Sequence, residues 1–244
     1  METEKKIENK DPEGLFKAGA HFGFTKSRRH PSVKELIFGV KNKVDIFDLL
    51  KTSEYLERAS AFVEELAKKK QQILFAGSKN PALRAIKTGA EEIGMPFVSG
   101  RWIGGTLTNF KQIRKRIERM ESLVSQREKG ELSKYTKREQ LMIDREIEGL
   151  ERFFGGLILM KELPKALFII DSRREKTAVR EAQALNIPIV SLSGSDSNIK
   201  EVDYPIPAND SSITSIEFFV KKIVEAYKAG SKAAASQQTA AVKE

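Results

Sequence analysis

Two stretches of this chain, Ile73-Leu74-Phe75-Ala76 and Leu167-Phe168-Ile169-Ile170, are apolar at every position, with no alternation between an inner and an outer face. A strand that shows one face to water alternates along its length, so an unbroken apolar run reads as a strand covered on both sides. Further short runs fall at Leu36 to Val40, Pro96 to Ser99, Pro188 to Leu192 and Tyr204 to Pro207. Between several of them lie segments of helical period, such as Leu56, Ala59, Val63 and Leu66, followed by a lysine run, Lys68 to Lys70, that suits a helix C-terminus. Strand and helix in repeated order predict an α/β fold: an open parallel sheet with right-handed crossovers and flanking helices. A last helix is expected from about Ser212 to Ala229, closed by Gly230.

Leu107 to Phe154 interrupts that rhythm. Apolar residues recur there at Phe110, Ile113, Ile117, Met120 and Val124, then at Ile143, Ile147, Leu150 and Phe154. These spacings of three and four make the seam of a coiled coil, and the polar stretch around Gly130 permits a reversal. The chain therefore divides into a mobile N-terminus at 1–10 and an α/β domain formed by 11–106 and 155–229. A coiled-coil hairpin is inserted at 107–154, and a disordered tail follows at 230–244, where Ala, Ser, Gln and Lys can bury little.

Composition narrows the chemistry. The 43 Lys and Arg against 34 Asp and Glu leave a charge of +9, which favours polyanionic partners. Without cysteine there are no disulfides or thiolate metal sites, and with His21 and His30 the only histidines a zinc site is not expected. No signal peptide, Arg-rich transit peptide or membrane-length apolar run is present, so the expected compartment is the cytoplasm.

Enzymatic motifs are incomplete. Gly77-Ser78-Lys79-Asn80-Pro81 follows a strand but lacks the Gly-Lys-Ser/Thr end of a nucleotide-binding loop, and Gly100, Gly104 and Gly105 miss the dinucleotide spacing. Asp171 ends a buried strand, where open parallel sheets place ligands and receiver domains carry a phosphoacceptor. A phosphate-binding enzyme or receiver-like signalling domain using Asp171 is thus the competing reading. It needs further carboxylates to hold magnesium, and after the first apolar run the chain offers Lys41, Asn42 and Lys43. The bland role for Asp171 is to cap the following loop and helix. Neither histidine is accompanied by a Gly-x-Ser-x-Gly elbow, and no catalytic residue, cofactor or small-molecule substrate is expected.

The basic clusters carry more. Lys26, Arg28 and Arg29 precede Pro31, Lys41 and Lys43 follow the first run, and Ser78 to Arg116 holds eight basic residues against two acidic ones. Gathered at the carboxyl edge of the sheet, such cations suit a phosphate backbone. Few aromatics are expected beside them on the surface, which favours contact with a folded RNA's shape over base stacking. The stretch Gly100-Arg101-Trp102-Ile103-Gly104-Gly105-Thr106-Leu107-Thr108-Asn109-Phe110 reads as a docking surface, with Trp102 its packing anchor. The candidate RNA contacts are Arg28, Arg29, Lys41, Lys43, Lys79, Arg101 and Lys111 for phosphates, with Thr108 and Asn109 as hydrogen-bonding groups.

Several of these segments also carry a family likeness. Ala18-Gly19-Ala20-His21-Phe22-Gly23, Ile37-Phe38-Gly39-Val40-Lys41-Asn42-Lys43, Ile73 to Lys79, Arg101 to Asn109, Leu167 to Asp171, Asn186 to Val190 and Asp203 to Asp210 together resemble the protein-two family of the small ribosomal subunit. The resemblance spans roughly Leu15 to Lys228 and implies a flavodoxin-like (Rossmann-like) open sheet with a hairpin of bacterial type. It implies an architectural role in translation: binding small-subunit rRNA and neighbouring small-subunit ribosomal proteins, with ribosomal protein one among the expected partners and no membrane contact. Two departures stand out. Phe24 occupies the place where many bacterial relatives carry a second histidine, and Gly194-Ser195-Asp196-Ser197-Asn198-Ile199 replaces the usual Asp-Thr-Asn before Asp-Pro.

Overall fold

The computed structural model describes residues 12–241, with side chains as far as Ala235, so the N-terminal segment read as mobile lies outside the described residues. The described residues open with a short helix, α1 (Pro12–Lys17), and three short strands, β1 (Phe22–Thr25), β2 (Ile37–Lys41) and β3 (Val44–Phe47). Alternation then begins with α2 (Leu49–Lys68), β4 (Ile73–Gly77), α3 (Asn80–Glu92) and β5 (Phe97–Ser99). Two long helices follow, α4 (Phe110–Glu128) and α5 (Lys137–Phe154). The remainder is β6 (Ala166–Ile170), α6 (Lys176–Ala184), β7 (Ile189–Ser193), β8 (Tyr204–Pro207) and α7 (Ile213–Ala241).

β4 to β8 form one parallel sheet in the order β5-β4-β6-β7-β8. Every residue of β4, β6 and β7 is buried, which is why the sequence shows no alternation there. Alternation still operates in space, because successive side chains leave a strand on opposite faces. Ile73, Phe75, Phe168 and Ile170 pack under α2, α3 and α7 with Val63, Ile86, Phe219 and Ile223. Leu74, Ala76, Leu167 and Ile169 pack on the other face with Ala178 and Val179 of α6 and with Ile113, Ile117 and Met120 of α4. The root of the helical hairpin is therefore part of the sheet's second core. Its two helices run antiparallel, as the pairs Arg119–Glu146 and Arg127–Asp144 require, and α5 starts on a capping box between Thr136 and Glu139. Leu123 is buried where the three-four spacing marks Val124.

Three expectations are corrected. Leu36 to Val40 does hold a strand, but β2 lies in a separate antiparallel sheet, β1-β3-β2, whose other strands carry no clear sequence signal. β5 is accordingly the second strand of the parallel sheet, where the order of apolar runs suggests the third. Gly230 does not end the last helix, and the disordered tail expected at 230–244 begins instead as a continuation of α7 to Ala241. A Cβ on Gly230 would press on the Glu64 carbonyl oxygen and come within 2.8 Å of Ala67 Cβ. The glycine thus lets α7 lie directly on α2, a packing role that outweighs its cost in helix propensity. Among the described residues no helix is long and apolar enough to cross a membrane.

Candidate nucleic-acid interface

The order of strands reverses between β4 and β6, and an open parallel sheet binds small ligands in the crevice outside its strand ends at that point. Here an internal ion-pair cluster lies over the strand ends. Lys79, just past β4, places Nζ 2.7 Å from Asp171 Oδ2 beyond β6 and 2.9 Å from Asp210 Oδ2 beyond β8. Burial penalises the Lys79 ammonium, yet the two carboxylates outweigh it and hold its pKa above the ordinary lysine value. Burial also pushes the Asp210 carboxyl up to about 6, against the pull of Lys79. Asp171 Oδ1 accepts the Arg174 amide at 3.0 Å, so the aspartate caps its loop and neutralises a lysine. Each Asp171 oxygen thus has a partner within the fold. Lys79, expected on a phosphate, is committed to these acids.

Arg29 is engaged in the same way. Its Nε donates to Asp45 Oδ2 at 2.7 Å and its Nη2 pairs with Oδ1, compensating a carboxylate that β3 buries completely. The hydrogen bond to Asp45 holds its pKa above the ordinary arginine value.

The Gly100 to Phe110 stretch is organised by a residue that no motif or spacing singles out. Glu181, on α6 and 7% exposed, accepts hydrogen bonds from Trp102 Nε1 (3.0 Å) and the amides of Gly105 (2.9 Å), Leu107 (2.9 Å) and Thr108 (3.2 Å). Thr108 Oγ1 adds a fifth donor at 3.3 Å. Burial alone would raise the Glu181 pKa, but these donors hold it below the ordinary glutamate value. Trp102 is a packing anchor as expected, being buried in the second core, while Thr108 spends its donors inside the fold. Regular spacing could not have revealed Glu181, since the residues it joins lie more than seventy positions away.

Arg28, Lys41, Lys43, Arg101, Asn109 and Lys111 remain exposed. Lys41 and Lys43 flank the tip of the β2–β3 turn, where Asn42 and Lys43 both take positive φ (51° and 65°), as a tight hairpin turn demands. Three cations that sequence reasoning misses, Arg173 and Arg174 on the loop between β6 and α6 and Lys176 at the start of α6, stand beside Arg28 and Arg101. Aromatic exposure is greater than expected: Phe22 and Phe38 are 48% and 82% exposed on the sheet that carries the lysine turn. The two departures from the resemblance touch each other. Phe24 lies between Arg28 and Lys79, 5.3 Å and 5.4 Å from its ring centre, and a Cβ on Gly194 would come within 2.8 Å of Phe24 Cε2. A phenylalanine at 24 fits because position 194 has no side chain.

A family model described as ribosomal protein S2 matches residues 15–230. The chain is 43% identical over 218 residues to small ribosomal subunit protein uS2 of Salinibacter ruber, covering 89% of this chain and 68% of the relative. It is 44% identical over 212 residues to the uS2 protein of Nitratiruptor sp., covering 87% and 79%. Against the uS2 protein of Coprothermobacter proteolyticus the identity is 40% over 216 residues, covering 88% and 81%.

Proposed function

The chain belongs to the ribosomal protein S2 family, structural constituents of the small ribosomal subunit, and from that premise we propose that its exposed basic loops grip small-subunit rRNA through backbone phosphates. It is a non-enzymatic protein of the cytoplasmic ribosome, with rRNA and neighbouring ribosomal proteins as its partners. One observation carries the reading of the contacts. The Lys79 ammonium is taken up by two buried carboxylates, whereas Arg28, Lys41, Lys43, Arg101 and Lys111 project without an ion pair among the described residues. These five, with Asn109 as a neutral donor, are the proposed RNA contacts; Arg29 and Lys79 support them from inside the fold, and Thr108, though exposed, donates to Glu181.

The hairpin at 107–154, with 12 basic and nine acidic residues, is proposed to brace neighbouring RNA or protein. Ribosomal protein one is the proposed protein neighbour, and unchanged occupancy of that protein on ribosomes lacking this chain would rule it out. Sedimentation of a lysate at low and high salt tests the central reading. The protein should travel with small subunits at low salt and leave them as salt rises, while recovery wholly outside ribosomal particles at low salt would refute it.

A further inference from the structure

A cavity of about 340 Å³ opens between the turn after β4, the Arg101–Trp102 pair and the first turn of α6, lined by Ser78, Arg101, Trp102, Arg174, Glu175 and Thr177. Its acid is turned inward: Glu175, 3% exposed, accepts both the amide and the hydroxyl of Ser78. Its two arginines are turned outward. Arg101 is exposed and pairs with no carboxylate among the described residues, and Arg174 uses only Nε internally, on Ser78 Oγ at 3.1 Å. The N-cap of α6, Glu175, makes no side-chain cap, so the positive end of the helix faces the same place.

Across the same loop lies a second cleft bordered by Arg28, Arg173 and Lys176. Arg173 is neutralised there by Asp196 at 2.7 Å, but Arg28 and Lys176 are in no ion pair among the described residues. Ser172, 2% exposed, borders that second cleft with its Oγ unpartnered. Cationic ground thus continues over the loop from one cleft to the other, which suits a polyanion better than a single small phosphate. Trp102 is only 8% exposed, so the first cleft offers no stacking face for a base. Two guanidinium forks facing one polar cavity match the oxygens of a phosphodiester.

We propose that Arg101 and Arg174 clamp a single RNA backbone phosphate between them, with the strand continuing over the Ser172–Lys176 loop toward Arg28. This rests on the RNA-contact reading above and adds Arg174, which lies 73 positions from Arg101, to the residues that meet RNA. The test measures binding of the full-length chain to small subunits stripped of this protein, over a salt series, for wild type, R101Q, R174Q and the double variant, with thermal melting as a control for folding. Each single variant should bind about tenfold more weakly, and the slope of log affinity against log salt should fall by roughly 0.7–0.9, the share of one phosphate. The double variant should show no further fall in slope, because the same phosphate is already released. A fall in the double of about twice that size would mean two separate phosphates and overturn the clamp. Unchanged affinity and slope in R101Q, whose side chain makes no internal bond, would overturn it as well even if R174Q failed to fold. A wild-type chain that does not bind stripped subunits at any salt would instead remove the reading on which the clamp rests.

Discussion

Trp102 Nε1 donates to Glu181 Oε1 at 3.0 Å, tying the loop after β5 to the helix after β6. The Arg101 to Asn109 stretch is consequently a backbone wrapped around one carboxylate, and Arg101 projects from it because its neighbours point inward.

Glu181→Gln should therefore unfold the protein more easily. An amide can accept from some of the five donors but sets its own N–H groups against the rest, and leaving buried donors unmatched costs about 3 kcal/mol in total. Urea denaturation should show a lower midpoint with an unchanged slope. The pH dependence adds a second readout. A folded pKa below the unfolded value gives stability that is present above the unfolded pKa and lost as pH falls through the folded one. Wild type should thus lose stability below about pH 4 through this group, and the variant should lack that component. Identical midpoints at pH 7 would refute the role given to Glu181.

Gly230→Ala should destabilise, although alanine is the better helix former by about 1 kcal/mol. The added methyl collides with Glu64 and Ala67 of α2, and overpacking of this kind costs about 1–3 kcal/mol. Calorimetry should show a lower Tm. A raised Tm would restore the view of Gly230 as a helix end exposed to solvent.

These two positions show where a sequence stops being legible. The apolar runs of β4 and β6 and the period of α2 are local signals, and the structure follows them because burial on both faces leaves a mark on every residue of a run. β3 is hidden because Asp45 interrupts its apolar character, and its compensating Arg29 lies sixteen positions away. Lys79 and Lys41 look alike in one dimension. Only the fold decides that one meets two buried acids and the other water.

Asp210 should make the protein less stable as neutrality is approached from acid. Its folded pKa, pushed by burial to about 6, lies above the unfolded 3.8, so the folded state holds the proton more tightly. That contribution is fully present below pH 3.8 and is lost as pH rises through about 6, a change of about 3 kcal/mol. Asp210→Asn should flatten the stability profile over that interval in urea titrations at successive pH values. A profile with the wild-type slope would show that Asp210 does not carry the effect.

Lys79 and the turn lysines should separate cleanly in a pair of variants. Lys79→Met removes the cation between Asp171 and Asp210, and a buried pair that loses one partner is destabilised by about 3–5 kcal/mol. At temperatures where the variant remains folded, the salt dependence of its binding to stripped small subunits should stay that of wild type, since its ammonium meets no phosphate. A double variant, Lys41→Gln with Lys43→Gln, should do the reverse. Both side chains are exposed at a solvated turn, so stability should move by no more than about 0.5 kcal/mol. The slope of log affinity against log salt should fall by roughly 0.7–0.9 for each phosphate that the turn no longer neutralises. If Lys79→Met reduced the salt slope and the turn variant did not, the assignment of inner and outer lysines would be inverted, and Lys79 would be the RNA contact after all.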